Sequence, residues 1–219
     1  MKHHDIQYFL SLQDRFVDLL KYITCHEKNF SCYSVKNESL IVDICSFFDS
    51  LCQTYIRDLN SSGHIFINQI NVRSFLGKIQ KKSNFDAGDY RKLLEGDLNL
   101  SIKAVNLNLY EDHLIIDPLG YHPNEIDGYQ VVPFKEWGTG TQTKWWDSFT
   151  KLKHNRVLNH REATLRNVVF SLAAIFVILC LENEAAFMEG TIPPIIYRAF
   201  LPKFWKFHGR RMPGIIMWK

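Results

Sequence analysis

The chain has 219 residues, 46% of them hydrophobic and 22% charged, with a formal net charge of +3. That length suits one domain, or one domain with an insert, and the apolar share is enough to fill a sizeable core. The mild basicity excludes nucleic-acid affinity from bulk charge alone, so any such affinity must come from local clustering.

Helical spacing opens the chain. Ile6, Phe9, Leu10, Phe16, Val17, Leu20 and Ile23 predict an amphipathic helix over 6–23. A polar loop follows at 26–37. Leu40, Ile41, Ile44, Phe47, Phe48, Leu51, Tyr55 and Ile56 predict a second helix over 38–59, stopped by Asn60-Ser61-Ser62-Gly63. Residues 65–79 are ambiguous, with a third helix through Leu76 as one reading, and 89–94 read as a short helical turn.

The period then changes. Ala104 to Tyr110 alternates apolar and polar, Glu111-Asp112-His113 is turn-like, and Leu114-Ile115-Ile116 resumes, which predicts a β-hairpin. Tyr129 to Phe134 is a candidate further strand, and Gly138-Thr139-Gly140-Thr141 reads as a flexible linker. From Lys144 the helical pattern returns, with one helix expected from Trp145 to about Asn159 and another from Glu162 to Leu181. The run from Val168 to Leu181 is apolar except for Ser171. It is short against the roughly 20 residues of a membrane span, so a buried core helix is expected and no transmembrane segment. Pro193-Pro194 ends any helix. The fold class expected is mainly α, a helical bundle with a small β-hairpin insert between its early and late helices. A helical domain would cover 1–189, with the insert at about 104–134, and a basic-aromatic tail would cover 190–219.

Cys25, Cys32, Cys45, Cys52 and Cys180 are odd in number and contain no CxxC. They read as reduced thiols acting as small hydrophobes, because a zinc site needs tighter spacing. No metal or cofactor is expected. Lys2-His3-His4-Asp5 leads into an amphipathic segment rather than a signal peptide, and with the unpaired cysteines this gives a cytoplasmic expectation.

The densest chemical cluster runs from Trp145-Trp146 through Lys153-His154-Asn155-Arg156 to His160-Arg161. Arg offers a permanent fork-shaped charge for phosphate, and His exchanges a proton near neutral pH. On one continuous helix Lys153, Arg156 and His160 would share a face, and His154, Leu158 and Arg161 a neighbouring one. Each has a plainer reading. Lys153 can be a solvated lysine, His154 a partly buried histidine bonded to backbone, and Arg156 a salt-bridge partner of Glu38 or Asp43. Trp145 and Trp146 can be core aromatics, although only one of the pair can face fully inward and the other can line a groove for RNA or a partner. Past Glu189 there are no acidic residues, and Arg198, Lys203, Lys206, Arg210, Arg211 and Lys219 interleave with Tyr197, Phe200, Phe204, Trp205, Phe207 and Trp218. That mixture suits RNA, anionic lipid or an acidic partner groove. The alternative is a tail whose aromatics dock on the bundle while its charges face water.

Several of these segments together resemble a known family. Glu38 opening an apolar helix, Pro133-Phe134-Lys135-Glu136-Trp137, the Trp-Trp helix leading to Lys153-His154-Asn155-Arg156, and the apolar run from Asn167 to Leu181 are similar to small bacterial proteins with HEPN-like domains. The resemblance covers roughly 38–182 and is most specific between Pro133 and Leu181. It implies an α-helical fold, often dimeric, of the kind found in toxin–antitoxin, antiphage and RNA-processing systems. The implied reaction is metal-independent RNA cleavage, in which the ribose 2′-hydroxyl attacks the adjacent phosphate and leaves a cyclic phosphate. A base must take the hydroxyl proton and a cation must neutralise the phosphorane. In that reading Arg156, His154, His160 and Lys153 are the catalytic candidates, with Arg161 beside them. The chain departs from the catalytic pattern in the gap between Arg156 and His160, which is shorter than the family's. Arg57 and His64 are farther apart but straddle the turn at Asn60 to Gly63.

Two functional expectations result. One is a metal-independent endoribonuclease in antiphage defence or a toxin–antitoxin system. The other is a non-catalytic HEPN-like module that binds RNA or protein. Either implies a homodimer, with RNA and an antitoxin or defence-complex protein as candidate partners.

Overall fold

The computed structural model describes residues 3–61, 85–107, 129–189 and 194–203. The fold is mainly helical with a small antiparallel sheet, as the periodicity predicts. The helices that frame the fold are α1 (His3–Leu20), α2 (Val35–Ser61), α3 (Ala87–Tyr90), α4 (Lys144–His154), α5 (Arg156–Asn159), α6 (Leu165–Glu182) and α7 (Glu184–Glu189), with one further α-helical turn at Gly96–Leu98. The strands are β1 (Val105–Leu107), β2 (Gln130–Val131) and β3 (Phe200–Pro202).

Helix α6 is the axis. It is apolar on every side, and a helix of that kind must be enclosed. By length and composition α6 could cross a membrane, but 78% of it is buried inside the protein. Helices α1, α2 and α4 and strand β3 pack around it. Thr164 starts α6 as its N-cap, its side chain accepting from the Asn167 N–H.

Helix α1 buries Ile6, Phe9, Phe16, Val17 and Leu20 of the amphipathic face expected from sequence, with Leu12 beside them, while Leu10 is only partly buried. Helix α2 begins where Ser34 Oγ accepts from the Asn37 N–H at 3.1 Å, three residues before the predicted start at Glu38. Its Phe48 sits fully buried in an aromatic group with Tyr90, Phe134, Trp145 and Trp146. Tyr90 reaches that group from α3, which an Asp86–Asp89 capping box starts and a π-helical turn over Arg91–Glu95 continues.

Strand β1 lies in the middle of the sheet. It pairs antiparallel with β2 (Val105↔Val131) and with β3 (Leu107↔Phe200). The first half of the expected hairpin is thus a strand, and its return at 114–116 lies outside the described residues. So does the ambiguous stretch at 65–79. Strand β3 comes from the segment expected to be a tail. Its first residue, Phe200, is fully buried between Phe16 and Phe176, with ring centroids 6.4 and 5.8 Å away.

The Gly138–Thr141 stretch is a structured turn rather than a linker. A 3-10 turn over Lys135–Thr139 closes at Gly140, whose φ of 78° is a conformation glycine adopts without strain. Gly140 N–H donates to Trp137 O at 2.9 Å and Thr141 N–H to Glu136 O at 3.1 Å.

Gln13 ties α1 to the segment leading into β3. It is fully buried, and its amide donates to Ile195 O at 2.9 Å while its carbonyl accepts from Ala199 N–H at 3.2 Å. Replacing Gln13 by Ala removes both bonds and strands the buried Ala199 N–H. Urea unfolding of Gln13→Ala should show a loss of about 2–3 kcal/mol. A change near zero would mean that 194–203 is not held through this side chain.

Candidate functional site

The expected single helix over Trp145–Asn159 does not form. Helix α4 ends at His154, and Asn155 takes extended backbone angles, φ −155° and ψ 91°. Asn155 is at once the C-cap of α4 and the N-cap of α5. Its side chain accepts from the Leu158 N–H at 3.2 Å. Asn159 then reaches back, its amide donating to Lys151 O at 3.0 Å and Asn155 O at 2.9 Å. The two asparagines supply partners that helical backbone would otherwise need, which is why Asn favours caps over helix interiors. A 3-10 turn over His160–Glu162 leads on to α6. Lys153, Arg156 and His160 therefore do not share one helical face.

Each cluster residue has a definite place. Lys153 is exposed, with its ammonium 5.8 Å from the centre of the Phe149 ring. His154 closes α4 and is exposed, not tucked against backbone. Arg156 is 58% exposed and pairs through Nε with Glu38 Oε1 at 3.5 Å. Asp43, the other candidate partner, is taken by Arg15 at 2.7 Å. At 3.5 Å this is an ion-pair contact longer than an ordinary charged hydrogen bond, and the guanidinium stays largely open to solvent. Glu38 is 14% exposed, and so holds the guanidinium from the protein side.

His160 is exposed and its Nδ1 lies 3.0 Å from Val157 O. A carbonyl only accepts, so Nδ1 carries the proton in this bond and the neutral ring presents its lone pair at Nε2. Arg161 is exposed. Between these side chains stand Val157 and Leu158, 82% and 78% exposed. Trp145 is a core residue, 2% exposed, with its Nε1 donating to Pro133 O at 2.8 Å. Trp146 is half-buried and packs on Phe48, Tyr90 and Phe149. Lys203 is exposed beyond β3, while Lys206, Arg210 and Arg211 lie outside the described residues.

Acidic groups around the cluster are already engaged. Glu162 takes Lys151 at 2.6 Å and Ser148 at 2.8 Å. Asn167 completes this network, donating to Ser148 Oγ at 2.9 Å and Glu162 O at 2.8 Å. It clamps the 3-10 turn between α4 and α6. Lys151 beside it holds the Glu162 carboxyl below the ordinary glutamate range, against the opposing effect of partial burial.

One residue at the site carries no motif signal. Tyr33 is 48% exposed and its ring centroid is 5.5 Å from that of His160. It comes from the polar loop before α2, and only tertiary structure brings it to His160.

Other features stand apart. A cavity of about 160 Å³ lies between α1 and α2, lined by Arg15, Asp18, Leu19, Lys36, Ser39 and Leu40. Among the described residues no three His, Cys, Asp or Glu side chains converge as metal ligands would. The cysteines are all unpaired, and only Cys32 is exposed. Burial pushes the Cys25 thiol up to about 12 and those of Cys45, Cys52 and Cys180 well above their ordinary value, which makes them inert.

No family model matches the chain, and no curated protein or solved structure matches it.

Glu162 has a folded pKa below its unfolded value of 4.5, so its contribution to stability is full above that pH and lost as pH falls through the folded pKa. Urea midpoints of the wild type and Glu162→Gln should therefore differ most near neutral pH and converge below pH 4.5. A gap that is constant with pH would remove the ion pair from the clamp.

Proposed function

We propose that the protein is a metal-independent endoribonuclease of HEPN type, with Arg156 as the phosphate-binding cation and His160 as the base. The observation that carries this reading is that Arg156 and His160, four residues apart across α5 and the turn after it, are both exposed and each held by one contact to the protein. Arg156 meets Glu38 through its inner nitrogen and stays 58% exposed, and His160 is held by Nδ1 with Nε2 open. A planar guanidinium presented in this way suits two oxygens of one phosphate.

The chemistry then uses few groups. His160 Nε2 takes the proton of a ribose 2′-hydroxyl. The 2′-oxygen attacks phosphorus, the bond to the 5′-oxygen breaks, and a 2′,3′-cyclic phosphate remains. The departing 5′-oxygen takes a proton from solvent or from the exposed His154. Arg156 offsets the charge that grows on the phosphorane oxygens. As His160 becomes a cation, its Nδ1–H bond to Val157 O becomes charge-assisted and stronger. Lys153 and Arg161 add electrostatic attraction to the strand on either side.

A homodimer belongs to this reading, bringing two Lys153–Arg156 segments near one another and covering Val157 and Leu158. So does a setting in antiphage defence or a toxin–antitoxin pair in the reducing cytoplasm, where unpaired cysteines are the rule. The exposed Val157 and Leu158 also favour the second reading, a non-catalytic module that binds RNA or a protein of such a complex, because aliphatic side chains this exposed suit a docking surface.

Cleavage of RNA in EDTA separates the two. His160→Ala should lower cleavage by about 10²–10⁴-fold while leaving RNA affinity nearly unchanged. Arg156→Ala should remove both cleavage and much of the affinity, at a stability cost below about 1 kcal/mol, since the pair is largely exposed on the Arg side. Binding without cleavage would leave the module. Cleavage that survives in both variants would put the reaction elsewhere.

A further inference from the structure

Tyr33 is placed like a binding residue. Segment 30–34 is strapped to the entry of α6 by backbone bonds. Ser34 N–H donates to Ala163 O at 3.4 Å, Leu165 N–H to Cys32 O at 2.8 Å, and Arg166 N–H to Phe30 O at 3.1 Å. Tyr33 also forms an isolated bridge with Thr164. The buried Asn37 adds a bond from its amide to Cys32 O at 3.2 Å. The backbone under Tyr33 is thus fixed, while its side chain stays 48% exposed and its hydroxyl has no partner among the described residues. A tyrosine serving only the core would bury its ring and pair its hydroxyl.

Its neighbours give the exposed ring a use. His160 touches it edge-on, with ring planes inclined by 60°. Arg156 stands one helical turn before His160, and its anchor Glu38 lies on the same first turns of α2 that follow Tyr33. A flat aromatic surface on the same helix entry as an exposed guanidinium matches the alternation of base and phosphate along a single strand. Stacking on an aromatic ring is tolerant of base identity and needs the base to be unpaired.

We propose that Tyr33 is the base-contacting residue of the site, packing an unpaired nucleobase next to the phosphate held by Arg156. This rests on the RNA reading above and goes beyond it by assigning a base contact and a requirement for single-stranded RNA. Rigid mounting makes the contact effective, because little backbone freedom is left to lose on binding.

The test measures affinity by fluorescence anisotropy for three probes of equal length: a mixed-sequence single-stranded RNA, the same RNA as a duplex, and an abasic phosphodiester strand. The wild type should bind the single strand best. Tyr33→Ala should weaken binding of the single strand by roughly tenfold, the effect of losing one stacked base. Tyr33→Phe should restore it, since the ring and not the hydroxyl makes the contact. The abasic strand should bind the wild type and Tyr33→Ala equally, whereas Arg156→Ala should weaken both strands. Unchanged single-strand affinity in Tyr33→Ala overturns the assignment and leaves the RNA reading intact. An equal loss on the abasic strand also overturns it, by showing that Tyr33 supports the local fold. A wild type that binds none of the three at low salt overturns the RNA reading and this one together.

Discussion

The structure depends on enclosing α6. A helix with no polar face has no stable position at a surface, so every large element is arranged to cover it: α1 and α2 on their amphipathic stripes, α4 through Phe149 and Leu152, and β3 through Phe200. The requirement explains the sheet as well. Three short strands would be marginal alone. Here β1 is held between β2 and a strand from the far end of the chain, and that strand is pinned by Gln13 and by the stack of Phe16, Phe200 and Phe176.

The candidate cluster follows from how α6 is entered. Its first turn must be capped and its approach folded back, and the chain does this with polar side chains. Thr164 caps the helix, while Asn167, Ser148 and Glu162 join α6 to α4. The loop at 30–34 is bound to the same entry. Tyr33, Glu38, Arg156 and His160, from two distant stretches of chain, are consequently gathered around one helix end. Rigid scaffolding below and open side chains above is the arrangement expected of a binding surface carried on turns.

Much of this was legible in the sequence. Helices α1, α2 and α6 follow from apolar spacing, and the change of period before residue 104 marks the sheet. The pairing of Arg156 with Glu38 was one of two options that charge alone allowed, and it needed the structure because Arg15 competes for Asp43. The break at Asn155 was missed for a local reason. The apolar pattern continues through Val157 and Leu158, yet these residues face solvent, and the interruption is signalled only by Asn155 and Asn159 bracketing them. Strand β3 was hidden by its length and by Pro202 inside it, and Tyr33 by lying in a loop with no periodicity.

The central proposal is that Glu38 steadies Arg156 for phosphate rather than competing with phosphate for it. RNA affinity measured across wild type, Glu38→Gln, Arg156→Ala and the double variant tests it directly. The account predicts that Glu38→Gln weakens binding when Arg156 is present and has no further effect once Arg156 is Ala. Tighter binding by Glu38→Gln, or an equal loss in both backgrounds, would contradict it.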